Sequence, residues 1–126
     1  MPLRVGIDLV QIEDIRESIA AYGERYLERT YTDEERRDCG GDPSHLAARF
    51  AAKEAALKAL GGDGGGPLPW RSIAVERDLN GEPRLRLTGP AAALAGSRGA
   101  RLVAVSLTRR KSTAAAVVLA EVGEAR

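Results

Sequence analysis

The sequence predicts an α+β domain in which an antiparallel sheet packs on one long helix accompanied by smaller helices. Three observations carry this expectation: alternating apolar residues at the start, a long alanine-rich helical stretch in the middle, and strand segments at hairpin spacing in the second half. The length of 126 residues suits a single domain, 1–126, with one core and something to gain from association with further copies.

Leu3, Val5, Ile7 and Leu9 alternate with Arg4, Gly6, Asp8 and Val10, which predicts a strand over 3–10 with Asp8 on the face opposite the main apolar set. Ile12, Ile15, Ile19 and Tyr22 or Tyr26 follow at helical spacing, with Gly23 as a break or stop. Thr32 and Glu35 fit a capping box that opens a short helix from about Asp33 to Cys39. Gly40 to Pro43 interrupt the chain, and Asp42 as N-cap with Pro43 in the first turn starts the main helix, which ends at Gly61. The following GGDGGGP reads equally as a connector or as backbone free to approach a phosphate.

Trp70 to Arg77 reads as a strand with core packing the default role of Trp70, Asn80-Gly81 as a tight hairpin turn, and Arg84 to Thr88 as the partner strand. Pro90 opens a short helix closed by Gly96 to Gly99. Strands at Arg101 to Leu107 and Thr113 to Glu121 flank a basic turn, and the tail from Gly123 should fray. Their interiors, LVAVSL and AAAVVLA, are apolar at successive positions, so both faces need cover, with helices on one side and another subunit on the other.

Composition narrows the functional classes. A net charge of +1 and 4% aromatic residues give no footing for nucleic-acid binding, and no apolar run approaches the length of a membrane span. MPLRVGIDLV lacks the features of a signal peptide, so a cytoplasmic protein without membrane attachment is expected. Cys39 is the one cysteine, which excludes an internal disulfide and a cysteine-rich zinc site. His45 is the one histidine, reads as a structural residue at a helix start, and makes no triad or zinc site.

The segment LAARFAAKEAALKALG, Leu46 to Gly61, holds the unusual chemistry. With Leu46 at zero on a helical wheel, Leu57, Phe50 and Leu60 fall at about 20°, 40° and −40°, and Lys53 falls among them at about −20°. An ammonium there must snorkel to the rim, find an anion or lose its charge. Glu54 and Arg49 border the same stripe. Asp8 on a strand and Glu54 on a helix are hard oxygen donors of the kind that suit Mg²⁺, and Arg49, Lys53 and Lys58 would supply the positive field a pyrophosphate needs. An exposed i,i+4 pair of Glu54 with Lys58 accounts for part of the same pattern.

GIDLVQI, LAARFAAKEAALKALG, PWRSIAVERDLNGEPRLRL and SLT…AAAVVLAE, in this order, resemble the holo-acyl-carrier-protein synthase family of 4′-phosphopantetheinyl transferases. The resemblance implies transfer of the phosphopantetheine arm of coenzyme A to a serine of an apo acyl carrier protein, with release of 3′,5′-ADP. It implies a homotrimer with coenzyme A in clefts between subunits. It makes Asp8 and Glu54 the Mg²⁺ ligands and sets Lys53 to stabilise the leaving bridging oxygen. Glu54, directly or through a water held by the metal, is the candidate base for the serine proton. Arg49, Lys58, Gly61 and Gly62 match positions near the nucleotide, and Ser106 matches the serine that opens the family's C-terminal motif.

Two positions depart from the family pattern. Arg109 stands where many members carry a histidine; it suits a phosphate clamp and not proton transfer. Asp14 stands where an arginine usually meets the acidic carrier helix, leaving Arg16, Arg25 and Arg29 to carry docking. These departures motivate a second reading, a non-catalytic relative that binds coenzyme A or a carrier protein.

Overall fold

The computed structural model describes residues 2–62 and 68–123. Its elements are β1 (Leu3–Gln11), α1 (Ile12–Tyr22), α2 (Glu24–Thr30), α3 (Asp33–Cys39), α4 (Pro43–Ala59), a 3₁₀ turn at Trp70–Ser72, β2 (Ile73–Arg77), β3 (Pro83–Leu87), α5 (Gly89–Ser97), β4 (Ala100–Arg110) and β5 (Thr113–Val122). An antiparallel sheet of order β1-β5-β4 and a second antiparallel pair, β2-β3, pack with α4, so the expected α+β class holds with two sheets in place of one. Most of the GGDGGGP turn and the last three residues of the tail lie outside the described residues. Among the described residues, no helix is long and apolar enough to cross a membrane.

The main helix is buried around most of its circumference and not along a single stripe. Alanines 47, 48, 51, 52, 55, 56 and 59 are all sealed from solvent. The inner face of β5 is equally small, with Ala114, Ala116, Val118 and Ala120 buried. Small residues on both surfaces let helix and sheet approach closely. The limit is reached at Gly6, where an added Cβ would overlap the Ala55 carbonyl oxygen and lie 2.9 Å from Ala59 N. Asp8, two residues further along the same face of β1, is thereby pressed against α4.

On β1 the buried positions are Gly6, Asp8 and Val10, while Leu3, Val5, Ile7 and Leu9 point outward and are more than half exposed. The strand register extends this outer face: Val5 pairs with Leu119, Ile7 with Val117 and Leu9 with Ala115, and these pair in turn with Ala104, Ser106 and Thr108 of β4. The Arg101–Glu121 ion pair closes one end of the patch. The inner face of the sheet is covered by α4, as the doubly apolar strands require, and the outer face is bare in the single chain.

The first helix breaks at Gly23 as expected, its φ of 55° separating α1 from α2, while several other boundaries shift. Trp70 begins a 3₁₀ turn and not a strand. The Asn80-Gly81 turn is the tip of a longer loop, because Asp78 Oδ1 accepts from Asn80 N and Glu82 N and organises residues 78–82 between β2 and β3. The last strands run on to a two-residue turn at Lys111-Ser112, so Arg109 lies within β4 and not in the turn itself. The capping box of α3 and the Asp42 cap of α4 form as expected. Cys39 is buried, and burial pushes its thiol up to about 11, which leaves it inert.

Gly6→Ala should lower unfolding free energy by about 3 kcal/mol, since the methyl meets backbone that cannot yield. Urea denaturation measures it; a loss below about 0.5 kcal/mol would show that β1 can move away from α4 at little cost.

Candidate active site

Lys53 and Glu35 set the rotation of α4. Both side chains are completely buried and their charged ends meet at 2.8 Å. Lys53 Nζ also donates to the carbonyls of Trp70 (2.9 Å) and Ile73 (2.7 Å), so all of its protons have acceptors. Glu35 Oε1 accepts from Thr32 N at 2.8 Å as part of the capping box, and Oε2 accepts from Val75 N at 2.6 Å. Burial pushes the Lys53 ammonium below its ordinary value and the Glu35 charge opposes that push. The Lys53 dilemma is thus resolved by an anion. Its expected place at a leaving oxygen is corrected, because a sealed ammonium with every proton engaged reaches no ligand.

With Lys53 fixed inward, the next residue faces β1. Glu54 and Asp8 line one cavity of ≈ 210 Å³ together with Asp14, Tyr26 and Phe50. Burial first, and then the neighbouring Asp8 carboxylate, push Glu54 up to about 7, while Lys58 partly offsets them. Lys58 Nζ donates to Asp8 Oδ1 at 2.9 Å and to the Ile7 carbonyl at 3.1 Å, so it pairs with Asp8 and not with Glu54 as the i,i+4 alternative had it. Asp8 Oδ2 is buried and, among the described residues, only a protonated Glu54 can donate to the Asp8 carboxylate there. Two crowded carboxylates, with the proton that Glu54 holds near neutrality within reach of Asp8, form a pair of hard-oxygen donors. Among the described residues no three His, Cys, Asp or Glu side chains converge closely enough to hold a metal ion by themselves, Asp14 included.

A second cavity, ≈ 200 Å³, opens on the other side of α4 and is lined by His45, Arg49, Arg77 and Arg109. Arg49 is 2% exposed, its Nε has no partner, and it forms no ion pair among the described residues. An uncompensated buried guanidinium is costly, and an anion in the cavity would relieve it. Arg109 reaches this cavity from β4, with Nη2 2.8 Å from His45 Nε2 and Nε donating to Ser44 Oγ at 3.3 Å.

The structure therefore brings together Asp8, Glu54 and Lys58, gathers Arg49 and Arg109 elsewhere, and separates both groups from Ser106, which is exposed on the outer sheet face beside Val117. Gly61 and Gly62 follow α4; Gly61 has φ 78° and lies beneath Arg98, whose Nη1 would be 2.9 Å from an added Cβ. Sequence reasoning read Glu35 as a helix cap without its ion pair, read His45 as structural only, and gave Arg77 no role. His45 carried a usable signal, because i and i+4 place it on the same side of the helix as Arg49.

A family model described as the 4′-phosphopantetheinyl transferase superfamily, ACPS, matches residues 4–117. A holo-[acyl-carrier-protein] synthase of Herpetosiphon aurantiacus is 39% identical, covering 93% of this chain and 97% of its own length. The chain belongs to the holo-acyl-carrier-protein synthase family of 4′-phosphopantetheinyl transferases. Solved structures agree. The Mycobacterium tuberculosis acyl carrier protein synthase superimposes with a TM-score of 0.75 at 42% identity, covering 95% of this chain and 97% of that one. A "Chronobacterium ammoniagenes" ACPS–CoA complex superimposes with a TM-score of 0.85 at 32% identity, covering 98% and 100%. As a member of this transferase family the chain is an enzyme.

Lys53→Met should cost about 3–5 kcal/mol by stranding the Glu35 carboxylate, with part of the loss recovered in Lys53→Met/Glu35→Gln. Chemical denaturation measures both; near-wild-type stability of Lys53→Met would return Lys53 to a role in chemistry.

Proposed function

We propose that this enzyme transfers the 4′-phosphopantetheine group of coenzyme A to a serine hydroxyl of an apo acyl carrier protein, with Mg²⁺ present and 3′,5′-ADP released. The observation that carries the reading is the pairing of Glu54 with Asp8 beside Lys58. Asp8 and Glu54 would hold Mg²⁺, and their adjoining hard oxygens, crowded enough to hold a proton on Glu54, fit it. Bound there, Mg²⁺ would neutralise the pyrophosphate of coenzyme A and raise the electrophilicity of the phosphorus next to pantetheine.

The serine oxygen forms the new bond to that phosphorus as the bond to the bridging oxygen breaks, and the electron pair leaves on the 5′-phosphate of 3′,5′-ADP. Lys58, with its side chain about half exposed (54%), is the lysine free to exchange the Asp8 and Ile7 oxygens for the departing phosphate. Glu54 is positioned to accept the serine proton directly or through a water. Arg49 and Arg109 would hold phosphate at the nucleotide end, where Arg109 acts as a fixed cation and not as a proton carrier.

These two half-sites support head-to-tail association of copies, as in the proposed homotrimer. Arg49 and Glu54 project about 140° apart around α4, so one extended coenzyme A is best served by the carboxylates of one copy and the arginines of the next. A cyclic head-to-tail assembly satisfies both and covers the apolar outer face formed by Val5, Ile7, Leu9, Leu119 and Val117. Arg16, Arg25 and Arg29 are exposed on α1 and α2, the helices that carry Asp14 and Tyr26 into the carboxylate cavity, and are the proposed docking side for an acidic carrier. A cytoplasmic location suits both substrates.

Mass spectrometry of an apo carrier incubated with coenzyme A and Mg²⁺ tests the reaction: addition of the phosphopantetheine mass supports it and an unmodified carrier overturns it. Because protons compete for Glu54, Mg²⁺ affinity should tighten as pH rises through about 7. Glu54→Gln should show weak binding with little pH dependence and turnover lower by about 100-fold or more, with the fold intact by circular dichroism. Arg109→Ala should raise KM for coenzyme A more than it lowers kcat; the reverse would remove the phosphate clamp.

A further inference from the structure

The Arg109–His45 contact has a definite protonation state. Arginine only donates, so at 2.8 Å from Arg109 Nη2 the His45 Nε2 must present its lone pair, which makes the ring neutral with its hydrogen on Nδ1. The ring meets charge from every element packed around it: Asp42 Oδ2 at 3.7 Å in the cap of α4, Arg49 one turn along α4, Arg77 from β2 and Arg109 from β4. Burial and the Arg109 charge both hold the imidazole below its ordinary value.

An anion reverses these influences. A phosphate among Arg49, Arg77 and Arg109 draws the guanidinium of Arg109 toward itself and frees His45 Nε2. The freed Nε2 then faces that phosphate with the Asp42 carboxylate oxygen also 3.7 Å from it, a setting that favours imidazolium. We propose that His45 takes up a proton from solvent when a phosphate monoester enters this cavity, changing from the acceptor of the Arg109 hydrogen bond into a donor to the phosphate. His45 thereby becomes a binding residue that answers the charge of its ligand: the cavity carries one cation fewer when empty and one more when filled. This rests on the nucleotide reading of the cavity given above. It distinguishes a phosphate monoester, whose dianion can accept from His45 and the arginines together, from a neutral hydroxyl at the same place.

His45 is the only histidine of the chain, so its ring resonances titrate without overlap in a protein free of any histidine tag. Proton NMR of His45 Hε1 against pH, with and without saturating adenosine 3′,5′-bisphosphate and without metal, tests the proposal. The expected result is a midpoint below the ordinary histidine value in the free protein that rises by about one pH unit or more with ligand. By linkage, lowering the pH from 8 to 6 should then strengthen binding by wild type relative to His45→Gln, whose amide can accept from Arg109 but cannot titrate. A bound ligand that leaves the midpoint unmoved overturns the role of His45 and leaves the arginine cavity standing. Absence of binding in wild type overturns the cavity's nucleotide reading, and this proposal with it.

Discussion

The close approach of β1 to α4 governs this molecule. It exists because Gly6 has no side chain and because the facing helix surface is almost entirely alanine. Proximity alone would not select which helix residue meets Asp8. That selection belongs to the buried Lys53–Glu35 pair, which locks the rotation of α4 against α3 and β2 and so directs Glu54 and Lys58 toward β1. Glu35 serves at once as helix cap, counter-ion and acceptor for a strand amide, and it thereby ties three elements to one carboxylate. Pairing charges in a core is a poor source of stability in itself, yet it specifies one geometry sharply, and here the specified geometry is that of the site.

Two strained charge groupings remain once the fold is made, and they have opposite chemistry. One side of α4 holds adjoining acids, of which Lys58 answers Asp8; the other holds a buried guanidinium with no counter-ion among the described residues. Each is unfavourable in the single chain, and a ligand rich in phosphate and accompanied by a divalent cation relieves both. Their placement on opposite sides of one helix makes the isolated chain an incomplete enzyme in the proposed reading, and the bare apolar face of the sheet carries the same implication. Binding, assembly and folding thus draw on a common set of residues along α4.

The elements were legible where local chemistry decides them. Alternation in β1, the Thr32–Glu35 and Asp42 caps, and the helical period of residues 46–59 all report on neighbours within a turn or two. Lys53 was visibly anomalous, but its partner lies 18 positions away, disguised as a capping residue. The Lys58–Asp8 and Arg109–His45 contacts span 50 and 64 positions, and no periodicity encodes which of several arginines and lysines will meet. The boundary errors have the same origin: Asp78 lengthens the hairpin loop through its own side chain, which overrides the preference of Asn80-Gly81 for a two-residue turn. The acids and bases of the site were found by type, and their grouping into two separate cavities required the tertiary structure.

Anomalous scattering from crystals grown with Mn²⁺ and coenzyme A measures the central geometry directly. The account predicts a metal peak at the Asp8 and Glu54 carboxylates, with the pyrophosphate beside it and the nucleotide phosphate among Arg49 and Arg109 of an adjoining copy. A metal bound away from these two acids, or a nucleotide lying wholly on one side of a single α4, would contradict it.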